Sequence, residues 1–129
     1  MNGMLEPEDG SVVLTGDTTL ITVPSGQAVQ LQDAIWNVDG PLGLTLRFRF
    51  VAPAIAPGGG VDVETAQADM QALCDSFALP RVSGIGPQPS QLIISMADRA
   101  LPFGEAAPEA IQYFEAFRLE NGQCVWELY

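Results

Sequence analysis

Apolar and polar residues alternate most cleanly over Leu44-Thr-Leu-Arg-Phe-Arg-Phe50. In an extended chain Leu44, Leu46, Phe48 and Phe50 share one face, and Thr45, Arg47 and Arg49 share the other. Two further strands are predicted before it. Thr18-Thr-Leu-Ile-Thr-Val23 is dense in β-branched residues, and Val29, Leu31 and Ile35 alternate with Gln30 and Gln32 up to Trp36. Pro24-Ser-Gly-Gln27 and Asn37 to Gly43 provide the turns of an antiparallel meander. Residues 1–16 are rich in Gly, Glu, Asp and Pro and read as a loose arm. Its apolar run Val12-Val13-Leu14 offers one edge strand, and residues 17–129 read as one domain.

The period changes after a glycine-rich connection, Pro53 to Gly60, which lacks the Lys-Ser/Thr that would complete a phosphate loop. Val63, Ala66, Met70, Leu73, Cys74 and Phe77 recur at helical spacing, with Asp62 placed to cap the helix and Pro80 to stop it. A strand follows at Ser90–Met96; no element is assigned to Asp98–Pro108. Asn121-Gly122 is the signature of a two-residue type I′ hairpin. That turn sets Glu120 opposite Gln123, Leu119 opposite Cys124, Phe117 opposite Trp126 and Glu115 opposite Leu128. Residues 108–118 also have helical propensity, so the start of that run stays open between helix and strand. The order is β-β-β-α-β-β-β, an α+β fold with a mostly antiparallel sheet and one main helix on one face.

Charge narrows the range of partners. Sixteen acids face five bases, all arginine, for a formal net charge of −11. Nucleic acid is excluded as a partner, since its phosphates attract clustered positive charge. An anionic membrane surface is disfavoured likewise, and no run of apolar residues is long enough for membrane insertion. The first residues have neither the basic nor the apolar region of a signal peptide, so a leader is absent from this chain.

The missing residue types exclude more chemistry than the present ones suggest. Without histidine there is no Ser-His-Asp or Cys-His nucleophile and no histidine metal site. Without lysine there is no Schiff base. No cofactor and no metal are expected. Cys74 and Cys124 fall on the apolar faces of the helix and the hairpin, which makes them a disulfide candidate or else two buried thiols. The helix carboxylates do not form an inward-facing pair, and Asp69 and Asp75 are expected on its solvated side. Arg47 and Arg49 share the outward face of their strand. They either pair with acids across the sheet or serve as a partner or anion contact. Trp36, Trp126 and Tyr129 are candidate interface anchors, with burial in the core expected for the two tryptophans.

Several stretches carry a resemblance. Val23-Pro-Ser-Gly-Gln27, Leu44 to Pro53, Asp69 to Cys74, Leu79-Pro-Arg81, Pro87 to Ser95 and Cys124-Val-Trp-Glu127 resemble a family of short uncharacterised alphaproteobacterial proteins of a Rhodobacter-like lineage. The resemblance covers roughly residues 18–129 and implies exported proteins that begin with a leader. Some relatives carry an acetolactate-synthase label. That activity is rejected for this chain, which is too short for a thiamine-diphosphate enzyme and has no Gly-Asp-Gly motif. The family brings no known function and no catalytic residue.

The expectation is therefore a non-catalytic binding or accessory domain acting through protein–protein contacts, periplasmic or secreted, with the cytoplasm left open. The alternative is a small carboxylate/arginine enzyme or small-ligand-binding protein with a pocket between helix and sheet. The expected state is a monomer or a weak homodimer formed through the edge of the C-terminal hairpin.

Overall fold

The computed structural model describes residues 11–40, 43–86, 88–102 and 107–127. Six strands form one sheet in sequence order: β1 (Ser11–Thr15), β2 (Gln30–Gly40), β3 (Gly43–Val51), β4 (Gln91–Ala97), β5 (Gln112–Glu120) and β6 (Gln123–Glu127). Neighbours run antiparallel except β3 and β4, which are parallel. The exception follows from the connection, because a parallel pair needs a crossover and here the helical segment supplies it. The α+β class and the mostly antiparallel sheet are as the sequence pattern predicts.

Of the two N-terminal runs with strand composition, Val12–Leu14 forms the edge strand and Thr18–Val23 does not. Residues 16–22 lie in no strand, although Ile21 N–H does reach the Val29 carbonyl at 2.8 Å. The place beside β2 is taken by Ser11–Thr15, paired with Asp33–Trp36. Tertiary pairing has overridden local composition. Strand β2 also runs on to Gly40 through residues that read as turn.

A bulge between Leu31 and Asp33 changes which β2 side chains meet the helix. Leu31 precedes the shift; Ala34 and Trp36 follow it opposite Phe48 and Leu46, whereas Ile35 stands opposite Arg47 on the other face. One inserted residue reverses the alternation, as a period of two requires.

The crossover helix begins at α1 (Val63–Leu73), capped by Asp62, whose carboxylate accepts Thr65 N–H at 2.9 Å. It does not stop before Pro80. A π-turn at Cys74–Ala78 carries the chain into α2 (Leu79–Val82). In the wider turn the bond to the Cys74 carbonyl comes from Leu79 N–H. Pro80 then lies in a new first turn, where its missing N–H leaves nothing unpaired.

Ala66, Met70, Leu73, Cys74, Ala78 and Val82 bury this helical face against Leu46, Phe48, Phe50, Leu92, Ile94, Met96 and Phe117. Each large side chain removed from water contributes about 1.5–3 kcal/mol. Phe77 packs edge-on to Phe50 and Phe48, with ring centroids 5.6 and 6.4 Å away. Val63, read as part of the apolar stripe, is instead 46% exposed. The sheet's second face is also covered in its centre, where Ile35, Ile93, Ala97 and Ala116 are buried.

Candidate functional site

The C-terminal hairpin forms in the register its turn dictates. Asn121 and Gly122 both have positive φ, 52° and 73°, the left-handed backbone a type I′ turn needs. Glu120 faces Gln123, Leu119 faces Cys124 and Phe117 faces Trp126. The expected Glu115–Leu128 pair lies outside the described residues, as does Tyr129. Residues 108–110 form a turn and the strand starts at Gln112, so the run left open between helix and strand is strand from there on.

The helix holds this hairpin at one residue. The Cys74 and Cys124 sulfurs stand at disulfide distance, 2.08 Å, with Cα atoms 6.1 Å apart. Asp75 Oδ1 accepts the Cys124 backbone N–H at 3.1 Å. Gln71 Nε2 donates to the Cys124 carbonyl at 3.0 Å and to Asp75 Oδ2 at 3.0 Å. Strand β6 is a sheet edge, and an edge normally offers unpaired backbone groups to other chains. At Cys124 those groups are already satisfied by helix side chains. Asp75 is thus exposed, as its place in the sequence suggests, yet it has a defined structural task.

One register step along, the edge is open. Trp126, two residues on, directs its backbone N–H the same way as Cys124, and that N–H has no partner among the described residues. Its side chain, expected in the core, is 50% exposed. The hairpin places it on the helix side, across a gap from Gln67, Ala68 and Gln71 of α1. What remains is a groove of about 390 Å³ lined by Gln67, Ala68, Gln71, Glu115, Phe117 and Trp126. The Trp126 indole N–H donates to the Glu115 carboxylate, which fixes the ring over the groove. On the opposite face of the same hairpin Phe114 is 63% exposed. The hairpin therefore presents one large aromatic on each side.

Arg47 and Arg49 lie on the second face of the sheet, as predicted. Arg49 makes a bidentate pair with Asp33 across β2 and β3, Nε–Oδ1 and Nη2–Oδ2 both 2.8 Å, and its Nη1 donates to the Leu101 carbonyl at 3.0 Å. Both partners of that pair are nearly buried, and the fork geometry suits such a position. Gln32 grips Leu101 as well, donating to its carbonyl at 2.7 Å and accepting its N–H at 3.2 Å. Arg49 and Gln32 thus pin the segment after β4 across the sheet. Arg47, half-buried, is engaged too.

Asp69 departs from the reading of a solvated acid. It is fully buried and accepts three bonds from the loop before β2: Ser25 N–H at 3.0 Å, Ser25 Oγ at 2.5 Å and Gln27 Nε2 at 2.7 Å. The signal was present in the spacing. Asp69 follows Ala66 by three and precedes Leu73 by four, so it shares their face of the helix. Among the described residues, no three cysteine or carboxylate side chains gather as a metal-binding group. No described helix is long and apolar enough to cross a membrane, which says nothing of strand-built membrane proteins.

A family model described as "Family of unknown function (DUF6497)" matches residues 7–129. The chain belongs to DUF6497. No curated protein and no solved structure matches it. The DUF6497 match takes in all six strands, both halves of the disulfide and the Trp126 groove.

Proposed function

We propose that this DUF6497 domain is a non-catalytic binding module that holds a protein partner against its C-terminal hairpin. The observation that carries this reading is Trp126, half-exposed on a hairpin fixed to the helix by the disulfide, Asp75 and Gln71. A rigid, pre-positioned tryptophan is the kind of anchor on which binding energy concentrates, because little is spent on ordering it. The net charge of −11 and Glu115 within the groove favour a partner with a basic face. The disulfide fits an oxidising compartment, so the domain works in the periplasm or outside the cell.

The test is affinity capture from a native periplasmic or culture-medium extract, using wild-type protein and Trp126→Ala side by side. The reading predicts a stoichiometric protein retained by the first and lost by the second. Identical captured sets would sink it. Light scattering on the purified protein separates the remaining case, in which the partner is a second copy and the mass doubles with concentration.

A further inference from the structure

At the other end of the sheet from Trp126, a cleft of about 270 Å³ opens between the chain after β1 and the helical segment around Pro80. Its apolar lining is Leu14, Ile21, Leu31 and Phe77; its charged lining is Arg81 and Asp17.

Arg81 differs from the other arginines. Arg49, Arg99 and Arg118 each rest on a carboxylate, and Arg47 is engaged, but Arg81 has no acid within ion-pair range among the described residues. In a chain with 16 acids this leaves an exposed guanidinium without a salt bridge at the wall of a cleft of mixed polar and apolar lining. The group is nevertheless held in place. Its guanidinium carbon lies 3.6 Å from the Phe77 ring centroid, and Nη1 donates to the Phe77 carbonyl at 2.9 Å. The π-turn that carries the helix past Pro80 is what brings Arg81 over that ring. Its remaining N–H groups have no acceptor among the described residues.

The opposite wall is fixed too. Gly16 N–H bonds the Gln32 carbonyl at 2.9 Å, and a Cβ at Gly16 would fall 1.6 Å from the Leu31 carbonyl oxygen. Any side chain there would push the wall away from β2. Asp17 follows, its carboxylate accepting Thr19 N–H at 2.9 Å. That bond holds it below the usual carboxylate range, so it is ionised at neutral pH.

We propose that this cleft binds a free α-amino acid with an apolar side chain: the ligand carboxylate on the Arg81 fork, its ammonium on Asp17, and its side chain against Leu14, Ile21 and Leu31. A simple anion would meet Asp17 as a like charge, and a simple cation would meet Arg81. A zwitterion satisfies both, and the small volume limits the ligand to about the size of leucine or phenylalanine. For so small a ligand in a half-open site the dissociation constant is on the order of a millimolar. This site is independent of the Trp126 groove.

Heteronuclear NMR of the full chain, titrated with L-leucine and L-phenylalanine, tests it. The expected result is saturable shifts confined to Gly16–Ile21 and Phe77–Arg81, with the Trp126 indole signal unmoved. Leucinamide, which lacks the carboxylate, and N-acetyl-leucine, which lacks the ammonium, should each bind about tenfold more weakly or worse. Arg81→Gln should lose leucine binding while its hairpin resonances stay in place. No titrating shift in the cleft, or leucinamide or N-acetyl-leucine binding as well as leucine, would overturn the assignment.

Discussion

Asp75 follows Cys74 in sequence, and its carboxylate accepts the backbone N–H of Cys124, the residue to which Cys74 is bonded. Two adjacent helix residues therefore grip one residue of the edge strand, one covalently and one by a charge-assisted hydrogen bond. Gln71, one helical turn earlier, closes the third side of this grip on the Cys124 carbonyl.

Removing the covalent part should cost most. The bridge spans 50 residues, a loop for which constraint of the unfolded chain is worth about 4 kcal/mol. Replacing both cysteines by serine should lower the urea midpoint by an amount equivalent to several kcal/mol. Adding reductant to the wild type should reproduce that loss. Equal midpoints with and without reductant would contradict a load-carrying bridge.

Opening the edge is a separate experiment. The double variant Gln71→Ala with Asp75→Ala leaves the Cys124 backbone groups unpaired beside those of Trp126. A longer unpaired edge invites strand pairing between copies. Light scattering should then show a concentration-dependent dimer more readily than in the wild type, and an unchanged mass would count against the side chains as a guard.

Asp69 anchors the loop before β2 with three accepted bonds from a fully buried position. Asp69→Ala leaves those donors unsatisfied and should destabilise the fold by about 3 kcal/mol; Asp69→Asn, which keeps one acceptor oxygen, should lose less. Chemical denaturation checks both. A loss within measurement error for alanine would mean that the loop is held by something else.

The helix cap gives a pH dependence of known sign. Hydrogen bonding from Thr65, its side chain first and its backbone N–H second, holds the Asp62 carboxyl below its usual value. A depressed folded value contributes stability that is fully present above the unfolded pKa, near pH 4, and is lost as pH falls through the lower folded value. Thr65 and Ala66 amides should therefore lose protection in acid, while Asp62→Asn, which caps without titrating, should remove that component. An amide profile identical in the two proteins would contradict it.

The legible parts of the fold were those set by local chemistry. Asn121-Gly122 fixed a turn type and through it a register, and the alternation of Leu44–Phe50 fixed which side of β3 met the core. The illegible parts were decided by distant groups. Thr18–Val23 has strand composition, yet Ser11–Thr15 occupies the edge of β2. The bulge at Leu31 reverses the faces of β2, a one-residue event with no signature in composition. Pro80 marks a stop only if the turn before it is an α-turn, and the π-turn removes that condition. Cys74 and Cys124 each lie on an apolar face that the spacing shows, and the structure brings them to disulfide distance. The hairpin register gives the face of Trp126, but nothing in the spacing shows that a groove separates it from α1.

The proposed contact surface is Trp126 together with the open edge beside it. Hydrogen exchange on the captured complex tests this most directly, since the Trp126 amide points away from β5 and has no partner among the described residues. Exchange in Gln123–Glu127 should slow on binding, and Trp126→Ala should lose about thirtyfold in affinity, equivalent to roughly 2 kcal/mol. Protection elsewhere, with Gln123–Glu127 exchanging as in the free protein, would contradict it.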